Sequence, residues 1–86
     1  GGDASVTDSV TDIVFPAMSK DNAEAEGVIA TWFVADGETV AEGQLVAEVA
    51  MDKVDMEVTA PVAGVITLSA AEGDTVRQGG VIASIA

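Results

Sequence analysis

The feature that most constrains this chain is an internal repeat. Residues 26–49, EGVIATWFVADGETVAEGQLVAEV, lie over residues 63–85, AGVITLSAAEGDTVRQGGVIASI. Gly27, Val28 and Ile29 match Gly64, Val65 and Ile66 at an offset of 37. After a one-residue gap the offset becomes 36, and Gly37, Thr39, Val40, Gly43 and Ala47 match Gly73, Thr75, Val76, Gly79 and Ala83. Leu45, Val46 and Val49 fall opposite Val81, Ile82 and Ile85. Chance similarity between Val-rich segments would align apolar positions alone, whereas here the glycines coincide too. Two copies are too few for a solenoid. They predict two similar half-sheets closed against each other about an approximate two-fold axis.

Each copy reads the same way. A β run (Val28 to Val34, or Val65 to Leu68) leads into an acidic glycine turn, Asp36-Gly37 or Glu72-Gly73-Asp74. A short extended piece follows, Thr39-Val40 or Thr75-Val76, then a second glycine turn at Gly43 or Gly79-Gly80. A last run closes the unit, Leu45 to Met51 or Val81 to Ile85. The apolar set holds 14 Val and five Ile against two Leu, and β-branched side chains favour strands. No segment sustains a helical apolar period. The prediction is all-β, a small sandwich or flattened barrel. Pro16 and Pro61 precede the two copies in similar settings, FPAM and APVA, and belong at strand ends.

Composition narrows function. At 86 residues the chain holds one domain with a small core. It has no Cys and no His, which excludes disulfides, thiolate or imidazole metal sites, and Cys or His catalysis. A net charge of −12 with only three cations argues against nucleic-acid or anionic-membrane binding. No run approaches the roughly 18 apolar residues of a membrane span, and no signal peptide is legible. An aqueous intracellular protein that is not a self-sufficient enzyme is expected. Residues 1–12, GGDASVTDSVTD, lack an apolar period and read as a flexible arm or linker end, leaving 13–86 as the folded domain. Trp32 and Phe33 are adjacent in a strand, so one faces the core and the other the surface. The acid runs read mostly as solvated faces.

Between the copies lies LVAEVAMDKVDMEVTA, residues 45–60. Alternation puts Leu45, Ala47, Val49 and Met51 on one face of a strand, and Val54, Met56 and Val58 on one face of the next. With Asp52 and Lys53 as the tip, Met51 pairs with Val54, Val49 with Met56 and Ala47 with Val58, and the apolar sets share a side only in this register or one shifted by two. The opposite face carries Glu48, Asp55 and Glu57. Asp-Lys is not the favoured Asn-Gly or Asp-Gly pair of a two-residue hairpin. The side chain is therefore a candidate for use, although lysine is also the ordinary residue of an idle exposed turn.

The residues FPAM, EGVI, the DG…V…G…L…EV run, DKV at the tip, APVAGVI and the closing EGDTV…GGVI together resemble a lipoyl domain, over about residues 13–86. Such domains are the carrier modules of the dihydrolipoamide acyltransferase component of 2-oxo acid dehydrogenase complexes. The resemblance implies a barrel-sandwich hybrid of two four-stranded sheets with pseudo-two-fold symmetry. It implies lipoic acid in amide linkage on Lys53, with Asp52 and Val54 recognised by the attaching enzyme, and no catalysis by the domain itself. It also implies a swinging arm that serves a thiamine-diphosphate-dependent 2-oxo acid decarboxylase, an acyltransferase catalytic domain and dihydrolipoamide dehydrogenase. The expected location is the cytoplasm of a bacterium or the mitochondrial matrix, with the isolated domain monomeric.

The rival is the biotin carrier domain, which shares the fold and centres its lysine in Ala-Met-Lys-Met. Here Ala50-Met51 echoes that motif, but Asp52 intervenes before Lys53. A third reading is an unmodified interaction module. One stretch departs from the lipoyl pattern: Ser19 to Ala25 is longer and more acidic than usual. In the family that loop lies near the lysine and helps partner enzymes choose their domain, so the departure bears on which decarboxylase, and hence which 2-oxo acid, is served.

Overall fold

A computed structural model describes residues 10–86. Residues 1–9 of the expected arm lie outside the described residues. Every regular element described is a strand: β1 Thr11–Val14, β2 Glu26–Trp32, β3 Thr39–Val40, β4 Leu45–Met51, β5 Val54–Thr59, β6 Gly64–Leu68, β7 Thr75–Arg77 and β8 Val81–Ile85. Thr11 and Asp12, placed with the arm in the sequence reading, pair with Ile85 and Ser84 in β8. That strand pairing starts two residues before the expected domain edge because polar side chains do not prevent an outer strand from joining a ladder.

The strands form two four-stranded antiparallel sheets, ordered β1-β8-β6-β3 and β5-β4-β2-β7. Exchanging β1 with β5, β8 with β4, β6 with β2 and β3 with β7 turns one order into the other. The repeat is therefore a structural two-fold, and the copies interlock. β3 of the first copy pairs with β6 of the second, and β7 of the second pairs with β2 of the first. Backbone bonds obey the same symmetry. Gly37 N donates to Ile66 O at 2.7 Å, and Gly73 N to Ile29 O at 2.8 Å. Gly79 N donates to Phe15 O and Gly43 N to Ala60 O, each at 2.8 Å. The prolines that follow Phe15 and Ala60 are thus equivalent, as the sequence settings suggest.

The core forms between the sheets. Phe15, Ile29, Ile66, Ile82, Ile85, Val46 and Val49 have no more than 1% of their surface exposed. Ile29 and Ile66, Val46 and Ile82, and Val49 and Ile85 are repeat mates, so these three apolar matches are matches in the core, whereas the matched Val28 and Val65 are exposed. Phe15 fits because Gly27 has no side chain. A Cβ there would fall on Phe15 Cζ and 2.5 Å from the Ala50 carbonyl oxygen. Trp32 packs partly buried against the core and donates from Nε1 to Ala70 O at 2.9 Å, while Phe33 is exposed, as adjacent strand positions require.

Turn carboxylates do more than face water, which corrects the sequence reading. Asp36 Oδ1 accepts from Leu68 N and Glu72 Oε2 accepts from Trp32 N, each at 2.9 Å and each reaching the other copy. Glu38 Oε1 accepts from Ala35 N and Asp74 Oδ2 from Ala71 N within their own turns, also at 2.9 Å. Periodicity detects apolar faces and cannot register a carboxylate that satisfies a strand-end N–H.

Candidate functional site

The residues of the expected site share one hairpin. β4 and β5 pair in the predicted register, with Ala47 opposite Val58, Val49 opposite Met56 and Met51 opposite Val54. Asp52 and Lys53 are the two loop residues, at φ 54° and 70°. Positive φ at both central positions is the type I′ pattern, whose twist matches that of the flanking strands. Asp tolerates this region, but lysine adopts it at a cost of about 1–2 kcal/mol. A lysine therefore occupies the position that local energetics assigns to glycine.

The hairpin base is fixed while its tip is free. Val46, Ala47, Val49, Met51 and Val58 are buried in the core. Asp52, Lys53 and Val54 are exposed. Val54 and Met56 are 55% and 40% exposed, although their register places them on the apolar face. Sequence alternation assigned the face correctly but not its cover, since β5 is an edge strand of its sheet.

The opposite face of the hairpin is acidic. Glu48 lies directly across from Glu57, and Asp55 is one step nearer the tip, across from Ala50. Beside the tip runs a cleft of about 520 Å³. Met18, Ser19, Lys20 and Asp21 form one wall, and Met51, Asp52 and Val54 the other. The loop flagged in the sequence thus stands next to the lysine turn. A second, more open groove of about 780 Å³ lies between Trp32, Leu68 and the turn acids Asp36, Glu72 and Asp74. Those acids are the strand-end acceptors described above, and neither lysine lines the groove.

An exposed primary amine on a two-residue tip, above a hairpin base buried in the core, is open to acylation. It can be acylated by an enzyme that recognises the hairpin, and whatever it then bears begins at a fixed point. The residues fit such an amide-linked group, since Lys53 is exposed among the described residues. A family model described as that of biotin-requiring enzymes, covering biotin and lipoyl attachment, matches residues 11–85.

The chain belongs to the biotin/lipoyl attachment family.

Its relatives include dihydrolipoyllysine-residue acyltransferase components. It is 41% identical over 80 residues to the dihydrolipoyllysine-residue acetyltransferase component of the pyruvate dehydrogenase complex of Corynebacterium glutamicum, covering 92% of this chain. It is 37% identical over 78 residues to the dihydrolipoyllysine-residue succinyltransferase component of the 2-oxoglutarate dehydrogenase complex of Cupriavidus necator, covering 90% of this chain. The chain spans only 12% and 18% of those two proteins. The solution structure of the lipoyl domain of the 2-oxoglutarate dehydrogenase complex of Azotobacter vinelandii superposes with a TM-score of 0.72 at 36% identity, covering 88% of this chain and 95% of that one. The all-β architecture of two four-stranded sheets expected from the sequence is the architecture of this attachment domain.

Proposed function

We propose that this domain carries lipoate in amide linkage on Lys53 and presents it in turn to the active sites of a 2-oxo acid dehydrogenase complex. One observation carries the reading: a lysine, at φ 70°, stands exposed at the tip of a two-residue hairpin where glycine would be more stable. Retention of strain at a specific side chain is the signature of a residue that is used. The lipoyl relatives support lipoate over biotin for the attached group.

Attachment forms a bond between Lys53 Nζ and the carboxyl carbon of an activated lipoyl group, breaks that carbon's bond to the activating group, which leaves with the bonding electron pair, and releases two protons from the Nζ ammonium. The ammonium becomes a neutral amide. When attached, lipoate supplies a dithiolane that accepts an acyl group and reducing equivalents. The chain itself orients and presents. Its buried β4 base fixes where the arm begins, and Asp52 and Val54 offer an exposed handle on each side of Lys53 to the lipoate-attaching enzyme.

The partners follow from this role: a thiamine-diphosphate-dependent 2-oxo acid decarboxylase, an acyltransferase catalytic domain and dihydrolipoamide dehydrogenase. Tethering near these centres raises the effective concentration of the arm. With a net charge of −12, the domain docks best on basic surfaces, and that docking weakens with added salt.

The test is intact mass after incubation with a lipoate-attaching enzyme and, separately, with a biotin-attaching enzyme. The chain should gain one lipoyl group, and Lys53→Arg none. Lipoylation of the Lys53→Arg variant would move the site. A gain of biotin alone would replace the lipoyl reading with a biotin carrier, and modification by neither would favour an interaction module.

A further inference from the structure

The pseudo-two-fold supplies an internal control, because each feature of one half can be compared with its mate. Between Phe15 and Glu26 the chain inserts residues 16–25, whereas the equivalent stretch between Ala60 and Ala63 holds only Pro61 and Val62. The glycine turns differ as well. Gln78 precedes Gly79 where its mate, Glu42, precedes Gly43.

These two departures from symmetry are bonded to each other. Gln78 Oε1 accepts from Ser19 N at 2.9 Å. Gln78 Nε2 donates to Ser19 O at 2.9 Å and to Asn22 O at 3.0 Å. The backbone of the same residue adds Gln78 N to Ala25 O at 3.0 Å. The side-chain amide thus pairs with Ser19 much as a neighbouring strand would, and it closes the loop from behind. In front, Met18 to Asp21 form the wall of the cleft that faces Asp52 and Val54. Glu42 is exposed and has no inserted loop to hold.

From this arrangement we infer that Gln78 is a positioning residue for the acceptor surface around Lys53. It holds the 18–21 wall at a set distance from the hairpin tip, so that an enzyme drawing Lys53 into its active site meets loop and tip as one surface. The inference rests on the carrier reading above. Gln78 touches neither the lysine nor the attached group. It acts through the loop, by removing the need to order that loop at each encounter.

The experiment compares the wild-type chain with Gln78→Ala and Gln78→Glu. Glutamate retains the acceptor for Ser19 N but turns an oxygen toward two carbonyls, so both variants should release the loop. Amide hydrogen exchange is expected to quicken about tenfold at Ser19 and Ala25, since Gln78→Ala removes all three side-chain hydrogen bonds, each of modest net worth. Exchange at the core-strand amides of Val46 and Ile82 should not change. In lipoate attachment, KM for the domain should rise about fivefold while kcat stays within about twofold, the pattern of lost uniform binding. Unchanged exchange at Ser19 would overturn the clamp. Equal acceleration at Val46 and Ile82 would show a merely structural role and overturn the inference too. Faster loop exchange with an unchanged KM would show that the attaching enzyme does not read the loop, with the same result. Failure of the wild-type chain to take lipoate would instead refute the carrier reading, and Ser19 exchange would still decide the clamp.

Discussion

Replacing Lys53 by glycine should make the domain more stable and functionless at once. Lys53 sits at φ 70° and Asp52 at φ 54°. Releasing an L-residue from the left-handed region returns about 1–2 kcal/mol. The greater unfolded-state freedom of glycine takes back about 0.5–1 kcal/mol. The exposed lysine side chain gives up no core packing. Lys53→Gly should therefore gain about 0.5–1 kcal/mol, and the tip becomes the Asp-Gly pair that type I′ hairpins favour. For a domain of this size that is a rise in Tm of about 3–6 °C. Two controls separate strain from charge. Lys53→Ala removes the ammonium and keeps the strain, so it should not be stabilised. Lys53→Arg keeps both, so its Tm should match the parent. Thermal melts and urea titrations, with equal m-values across the set, provide the measurement. If Lys53→Gly is no more stable than Lys53→Ala, the tip holds no strain and the reasoning from backbone geometry to use fails.

Two further predictions rest on other parts of the fold. Gly27→Ala should destabilise by about 2 kcal/mol or more, because its Cβ would meet the rigid Phe15 ring and lie 2.5 Å from the Ala50 carbonyl oxygen; a urea midpoint unchanged from the parent would refute this. Glu57→Lys should stabilise by about 0.2–1 kcal/mol by converting the facing Glu48–Glu57 pair from like to opposite charges. The gain should shrink in high salt, and a salt-independent change would point to packing instead.

Most of the fold was legible because the repeat encodes it twice. The glycines that match between copies are structural: Gly37, Gly43, Gly73 and Gly79 all have φ between 82° and 88°. Hairpin register was legible because a one-residue slip would turn Val49 and Val58 out of the core. What stayed hidden depends on the other sheet. The exposure of Val54 and Met56 depends on how far that sheet reaches. The carboxylate caps of Asp36 and Glu72 bridge positions 32 and 40 residues apart. The positive φ of Lys53 was not assigned from sequence, but the unfavourable Asp-Lys turn was its available signal.

The symmetry itself separates fold from function. Where the halves agree, the shared residues are explained by closing two sheets on one core: paired isoleucines, glycine turns and carboxylates that cap strand ends. Beyond the one-residue gap between Ile29 and Gly37, two differences meet beside the tip of one hairpin. The 16–25 insertion has as its mate only Pro61 and Val62, and Gln78 has Glu42. The insertion packs Met18 and Ala25 against the core, yet neither difference belongs to the duplicated pattern. Their grouping around Lys53 is what selection for a modifiable, recognisable lysine would leave on an otherwise duplicated scaffold.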